Sequence, residues 1–168
     1  MKFIVCISIF LISAGNCFAS QTNQEAIKSV INAFEQSIQT KDKNRFSDLF
    51  LDTSSPMIGV VSEESMITRR AAVEKINKEN NKNFKATRTW QLLPTEMIDR
   101  IISEEVSSRE EFNNINIVSD GNIATVYFDY VYYKGNKKKN WGSESWQMVQ
   151  TLKGWKISYI SYSITFVK

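Results

Sequence analysis

Histidine is absent from all 168 residues. The chain therefore lacks the one side chain that ordinarily titrates near neutral pH, and every histidine-dependent acid–base mechanism is excluded. Cysteine occurs only as Cys6 and Cys17, so everything after Cys17 is without a disulfide, a thiol nucleophile or a cysteine metal site. There is no phosphate-cradling glycine loop, no HExxH, no GxSxG and no metal-ligand cluster, and neither a metal nor a cofactor is expected. Excess charge is missing too. Against 21 Lys and Arg stand 18 Asp and Glu, a balance that predicts no nucleic-acid partner and no strong attraction to a membrane.

What is present first is a leader. Lys2 gives a short basic start, Phe3 to Ala14 form an apolar run of 12 residues, and Gly15-Asn16 break it before Cys17-Phe18-Ala19. This pattern predicts a secretory signal peptide over residues 1–19, cleaved after Ala19, and an exported, periplasmic or secreted protein with no membrane span after cleavage. Twelve residues of helix reach about 18 Å against a bilayer core of roughly 30 Å, which disfavours an uncleaved anchor. Acylation at Cys17 is the competing reading, but Asn16 stands where a small residue is expected. The mature chain would keep 20 basic and 18 acidic residues and no cysteine.

Residues 20–168 form one domain by size, with 42% apolar and 23% charged residues, an ordinary globular composition. Thr22 to Glu25 has capping-box form, and Ile27, Val30, Ile31, Phe34 and Ile38 follow at helical spacing. Asp42 reads as a second N-cap before Phe46, Leu49 and Phe50, and Ser54-Ser55-Pro56 ends that helix. Met57 to Val61 reads as a strand. Thr68 is expected to cap a third helix carrying Ala72, Val73 and Ile76, and Thr95 to Ile102 suggests a fourth. From Phe112 the period falls to two. Ile115 and Ile117 alternate with asparagines, Asp120-Gly121 turns the chain, and Ala124, Val126, Phe128, Tyr130 and Tyr132 share one strand face. Strands over Ser143–Thr151 and 155–167 complete an antiparallel meander. Helices first and strands afterwards make the class α+β.

These segments resemble a known superfamily. Ile27-x-x-Val30-Ile31-x-x-Phe34, then Lys41-Asp42-x-x-x-Phe46-x-x-Leu49-Phe50, then Asp120 to Val126, Gly142-x-Glu144-x-Trp146, Gly154-Trp155-Lys156-Ile157 and Tyr162-Ser163 together resemble the nuclear transport factor 2-like superfamily, which includes ketosteroid isomerase and polyketide cyclase-like proteins. The resemblance spans about Gln24 to Ser163. It implies a cone in which a strongly curved antiparallel sheet wraps around N-terminal helices, often with a pocket at the wide end and dimerisation through the sheet. It does not imply one activity, because this fold carries enzymes and binding modules alike.

An ungapped count from the shared anchors places Phe34, Ile58 and Ser145 where the isomerases keep a tyrosine, a carboxylate base and a second acid. None of the three can do that chemistry. Asp129 is expected on the outer face by alternation with Phe128 and Tyr130. Glu144 shares a face with Trp146 and Met148 and is either a polar group in a pocket mouth or a strand-end charge. Phe34, Trp90, Phe128, Tyr130, Glu144 and Trp146 are the candidates for lining a pocket, with a plain core as the alternative. Lys134, Lys137, Lys138 and Lys139 read as a solvated hairpin tip. The expected function is a non-catalytic exported domain that binds a small apolar ligand or a protein partner as a homodimer. The alternatives are a histidine-independent isomerase, lyase or hydrolase, and a subunit of an envelope complex.

Overall fold

The computed structural model describes the backbone of residues 15–167 and the side chains of residues 22–167. The run Phe3–Ala14, on which the leader reading rests, lies outside the described residues. The elements run in the order α1 (Gly15–Thr40), α2 (Lys43–Asp48), β1 (Met57–Val61), α3 (Glu63–Asn80), β2 (Thr89–Leu92), α4 (Pro94–Ser103), β3 (Ser108–Ser119), β4 (Ile123–Lys134), β5 (Lys137–Thr151) and β6 (Gly154–Phe166). All six strands form a single curled sheet in the order β2-β1-β6-β5-β4-β3.

The core follows from the two periodicities. Ile27, Ile31, Phe34 and Ile38 bury one stripe of α1 against Val126, Phe128, Trp146, Met148 and Ile157 from the inner sheet face. Phe34 is the hub, with ring centroids 4.9 Å from both Phe46 and Trp146. Asp42 caps α2 as expected, accepting from the Arg45 N–H at 3.0 Å, and the turn of chain after it sets Phe46 into that cluster.

Five expectations are corrected. The helix does not start at the Thr22 capping box, because α1 runs from Gly15; nothing between Gly15 and Thr22 interrupts a helix. Helix α3 is capped by Ser62, whose hydroxyl accepts from the Ser65 N–H at 3.3 Å, with Glu63 and Glu64 in the first turn. Thr68 is therefore interior, and the helix buries Ser65 and Met66 rather than the Ala72-Val73-Ile76 stripe. The sheet is mixed, since β1 pairs parallel with β6 and antiparallel with the unanticipated β2. Strand β3 begins at Ser108, four residues before Phe112. It carries a bulge between Asn113 and Asn116, where Asn114 adopts φ 54°. The extra residue breaks the alternation, so Ile115 is exposed and only Ile117 reaches the core. Finally, β5 starts at Lys137 and not at Ser143.

Candidate functional site

Between the inner sheet face and helices α3 and α4 lies a cavity of ≈ 710 Å³. Its geometry comes from one cross-strand row. Phe128 on β4 faces Glu144 on β5, Glu144 faces Tyr162 on β6, Tyr162 faces Gly59 on β1, and Gly59 faces Trp90 on β2. A Cβ on Gly59 would stand 2.5 Å from the Trp90 ring and 2.9 Å from that of Tyr162. The missing side chain lets those rings meet edge to face at 5.6 Å and form one cavity wall.

Gly142 does the same one step along β5. A Cβ there would lie 2.1 Å from the Ser163 carbonyl oxygen. That space is taken by the Ser163 backbone of β6, and Tyr130, the register partner of Gly142, donates its hydroxyl to the same carbonyl at 3.0 Å. Tyr132, two residues on, shares a hydrogen bond with the Ser108 hydroxyl at 2.9 Å.

Two carboxylates are buried in this cavity, Glu110 and Glu144, each 6% exposed. Glu144 Oε2 accepts the indole N–H of Trp146 at 2.7 Å. Glu110 Oε2 has no hydrogen-bond partner among the described residues. Burial raises the Glu144 carboxyl to about 7, restrained by the Trp146 bond. Burial, then the charges of Glu144 and Glu35, push Glu110 well above the usual carboxylate range. Glu110 is thus the harder of the two to ionise, and in its neutral form it is a hydrogen-bond donor facing the cavity. The phenols stay neutral. Tyr130 is raised far above its ordinary value by burial and then by Glu144 and Glu110, and Tyr162 is raised to about 12, chiefly by burial.

Of the residues expected from the sequence, Phe34, Trp90, Tyr130 and Glu144 line the cavity. Phe128 and Trp146 sit in the core behind it, their rings 5.1 Å apart, and Trp146 meets the site through its bond to Glu144. Ser145, the counted position of the second acid, opposes Tyr127 on the outer side, and alternation turns its neighbour Glu144 inward. Asp129 lies on the outer face as expected. It accepts from Asn114 Nδ2 at 2.8 Å and Ser143 Oγ at 2.9 Å, bonds that hold its carboxyl below the usual range.

Among the lysines, Lys137 and Lys138 stand exposed at the hairpin, Lys134 is ion-paired with Glu104, and Lys139 lines the cavity. Glu110 was missed because the strand was read from Phe112. Carrying the two-residue period back from Phe112 places Glu110 and Ser108 on the same face, and all three are at least half-buried. Among the described residues, no group of His, Cys, Asp and Glu is arranged to hold a metal ion, and no helix is long and apolar enough to cross a membrane.

A curled sheet around α1 with a cavity at one end defines a nuclear transport factor 2-like fold, and solved structures share it. A nuclear transport factor 2-like protein with a cystatin-like fold from Novosphingobium aromaticivorans superposes with a TM-score of 0.62 at 12% identity, over 92% of this chain and 90% of that one. A candidate scytalone dehydratase from the same organism gives 0.61 at 10% identity, over 89% and 88%. A superfamily protein from Salmonella enterica gives 0.55 at 15%, over 86% and 92%. No family model matches the sequence, and no curated protein matches it. The protein has the nuclear transport factor 2-like fold.

Proposed function

We propose that this protein is an exported, histidine-independent acid–base enzyme, an isomerase or lyase acting on a small, largely apolar carbonyl compound. The observation that carries the reading is the pair of buried glutamates in one cavity, one of them with an oxygen left unpartnered. Native proteins rarely leave such a group unsatisfied unless it has work to do. In the ionised state Glu144 takes a proton from the carbon next to the carbonyl. Neutral Glu110 and the Tyr162 hydroxyl donate hydrogen bonds to the oxygen on which negative charge develops. Tyr130 is committed to the Ser163 carbonyl and acts as a wall. The candidate scytalone dehydratase of the same fold lends support by analogy alone.

The test is solvent deuterium uptake, followed by NMR, across a panel of enolisable ketones and β-hydroxy ketones. Uptake is expected to rise as pH passes through about 7, to vanish in E144Q and E110Q, and to survive D129N. No exchange by a folded protein that binds these ketones would leave the non-catalytic binding reading. That second reading is favoured by the apolar walls of Phe34, Met57, Leu92 and Ile160, which suit an apolar ligand whether or not it reacts.

Export rests on the leader pattern of residues 1–19. Homodimerisation rests on the outer sheet face, where Tyr127, Trp141 and Tyr159 are exposed. Sedimentation of the wild type and of a Y127E variant tests it: a dimer that the variant breaks is expected.

A further inference from the structure

The cavity has a polarity that the acid–base chemistry does not use. At its deep end sit the buried carboxylates, and among its other lining groups are Arg69 from α3, Arg100 from α4 and Lys139 from β5. Arg69 is half-buried, while Arg100 and Lys139 are exposed. These three therefore stand at the solvent side. Among the described residues none of them has a carboxylate within ion-pair distance. The fourth lining cation, Lys134, is ion-paired with Glu104. Arg100 also acts on the interior, since its charge lowers the Tyr162 phenol that the two glutamates raise. The rest of the lining includes the apolar Met97, Ile101 and Ile160.

We propose that the ligand is amphiphilic and anionic: an apolar body that enters the cavity toward Glu110 and Glu144, and a singly charged anionic head, such as a carboxylate or sulfonate, held at the mouth by Arg100 and Arg69. Three cations face two glutamates, so the cavity carries a positive excess whatever the protonation of the pair, and this excess selects against neutral and cationic molecules of the same shape. Arginine suits the role because its planar fork meets an oxyanion with two hydrogen bonds. Orientation follows from the same charges. An anionic head at the mouth keeps negative charge away from the carboxylates and presents the far end of the ligand to them. The inference deepens the reading of this cavity as the functional site and adds the class of molecule it takes.

Two dyes that share an aromatic body test it. 8-Anilinonaphthalene-1-sulfonate carries an anionic head, and N-phenyl-1-naphthylamine lacks it. Fluorescence titration of the purified protein is expected to give a dissociation constant about tenfold lower for the sulfonate, roughly 1.4 kcal/mol. R100Q and R69Q should each erode that preference, R100E should abolish or reverse it, and the neutral dye should bind all three variants as it binds wild type. R70Q changes the next residue of α3, which is not in the lining, and should keep the preference. Equal binding of both dyes, failure of either to bind, or a preference untouched by R100Q and R69Q would overturn the proposal. E144Q separates the two readings. A sulfonate preference retained in wild type and E144Q, without deuterium uptake by either, sustains the anionic ligand and removes the acid–base step. Uptake with no preference does the reverse.

Discussion

The indole N–H of Trp146 donates to Glu144 Oε2 across 2.7 Å, so the largest fully buried side chain of the core also holds the cavity's carboxylate. The two residues are alternate positions on the inward face of β5. One strand thus couples packing to the site: the same ring that touches Phe34 and Phe128 fixes where Glu144 can point and how readily it ionises.

W146F removes that donor and little of the aromatic packing. The ionised form of Glu144 loses its hydrogen bond, so its titration midpoint should move above about 7. Stability should fall by roughly 1–3 kcal/mol, from the lost indole volume and the unpaired carboxylate. Carboxyl ¹³C shifts followed against pH check the first and urea unfolding the second. An unmoved midpoint would mean that the indole does not govern the ionisation.

Glu144, Glu110 and Glu35 all have carboxyls raised by burial above the ordinary 4.5. For a raised acid the folded state holds a proton that the unfolded chain has released. Its contribution is full below about pH 4.5 and is lost as pH rises through the folded value, which for Glu144 is about 7. The lowered carboxyls of Asp52, Asp120 and Asp129 act in the opposite sense, around and below their ordinary 3.8. The melting temperature should therefore be higher at pH 5 than at pH 8. E110Q should flatten that difference and raise the melting temperature at pH 8 by several degrees. A melting temperature that climbs from pH 5 to pH 8 would contradict the buried pair.

G142A drives a methyl group to within 2.1 Å of the Ser163 carbonyl oxygen, which is also the acceptor of the Tyr130 hydroxyl. Backbone must shift on β5 or β6, at a cost of about 3 kcal/mol, the upper end of the usual range for overpacked cores. G154A tests a different strain, because its Cβ meets nothing but its φ is 93°. It should cost only about 1 kcal/mol, as expected of a left-handed position. Urea midpoints of the two variants rank these effects; equal losses would mean that the close approach at Gly142 is relieved cheaply.

Cleavage after Ala19 would remove none of the described core, whose first residue on α1 is Ile27. The exported protein should begin at Ser20, should show that mass when recovered from the periplasm or medium, and should melt at the same temperature with and without reductant. A mass that includes Cys17 bearing lipid would overturn the cleavage site.

Apart from β2, the sequence by itself determined the order and kind of the elements. Helical spacing from Ile27 to Ile38 and the two-residue alternation from Ala124 to Tyr132 each leave one arrangement that buries the apolar set, so α1 and β4 were legible without coordinates. Alternation also placed Asp129 outside, and it turns Glu144 inward once the register is known. The absence of histidine, visible from the sequence alone, required any acid–base chemistry to use carboxylates and phenols.

Tertiary structure decided which carboxylates those are. Glu110 and Glu144 lie 34 positions apart on β3 and β5, and only the curl of the sheet and its register bring both to one cavity. The bulge at Asn114 and the parallel pairing of β1 with β6 are likewise outcomes of long-range fit. Neighbouring residues carry no trace of them, because burial, and with it the proton affinity of a carboxyl group, is a property of the surroundings rather than of the residue.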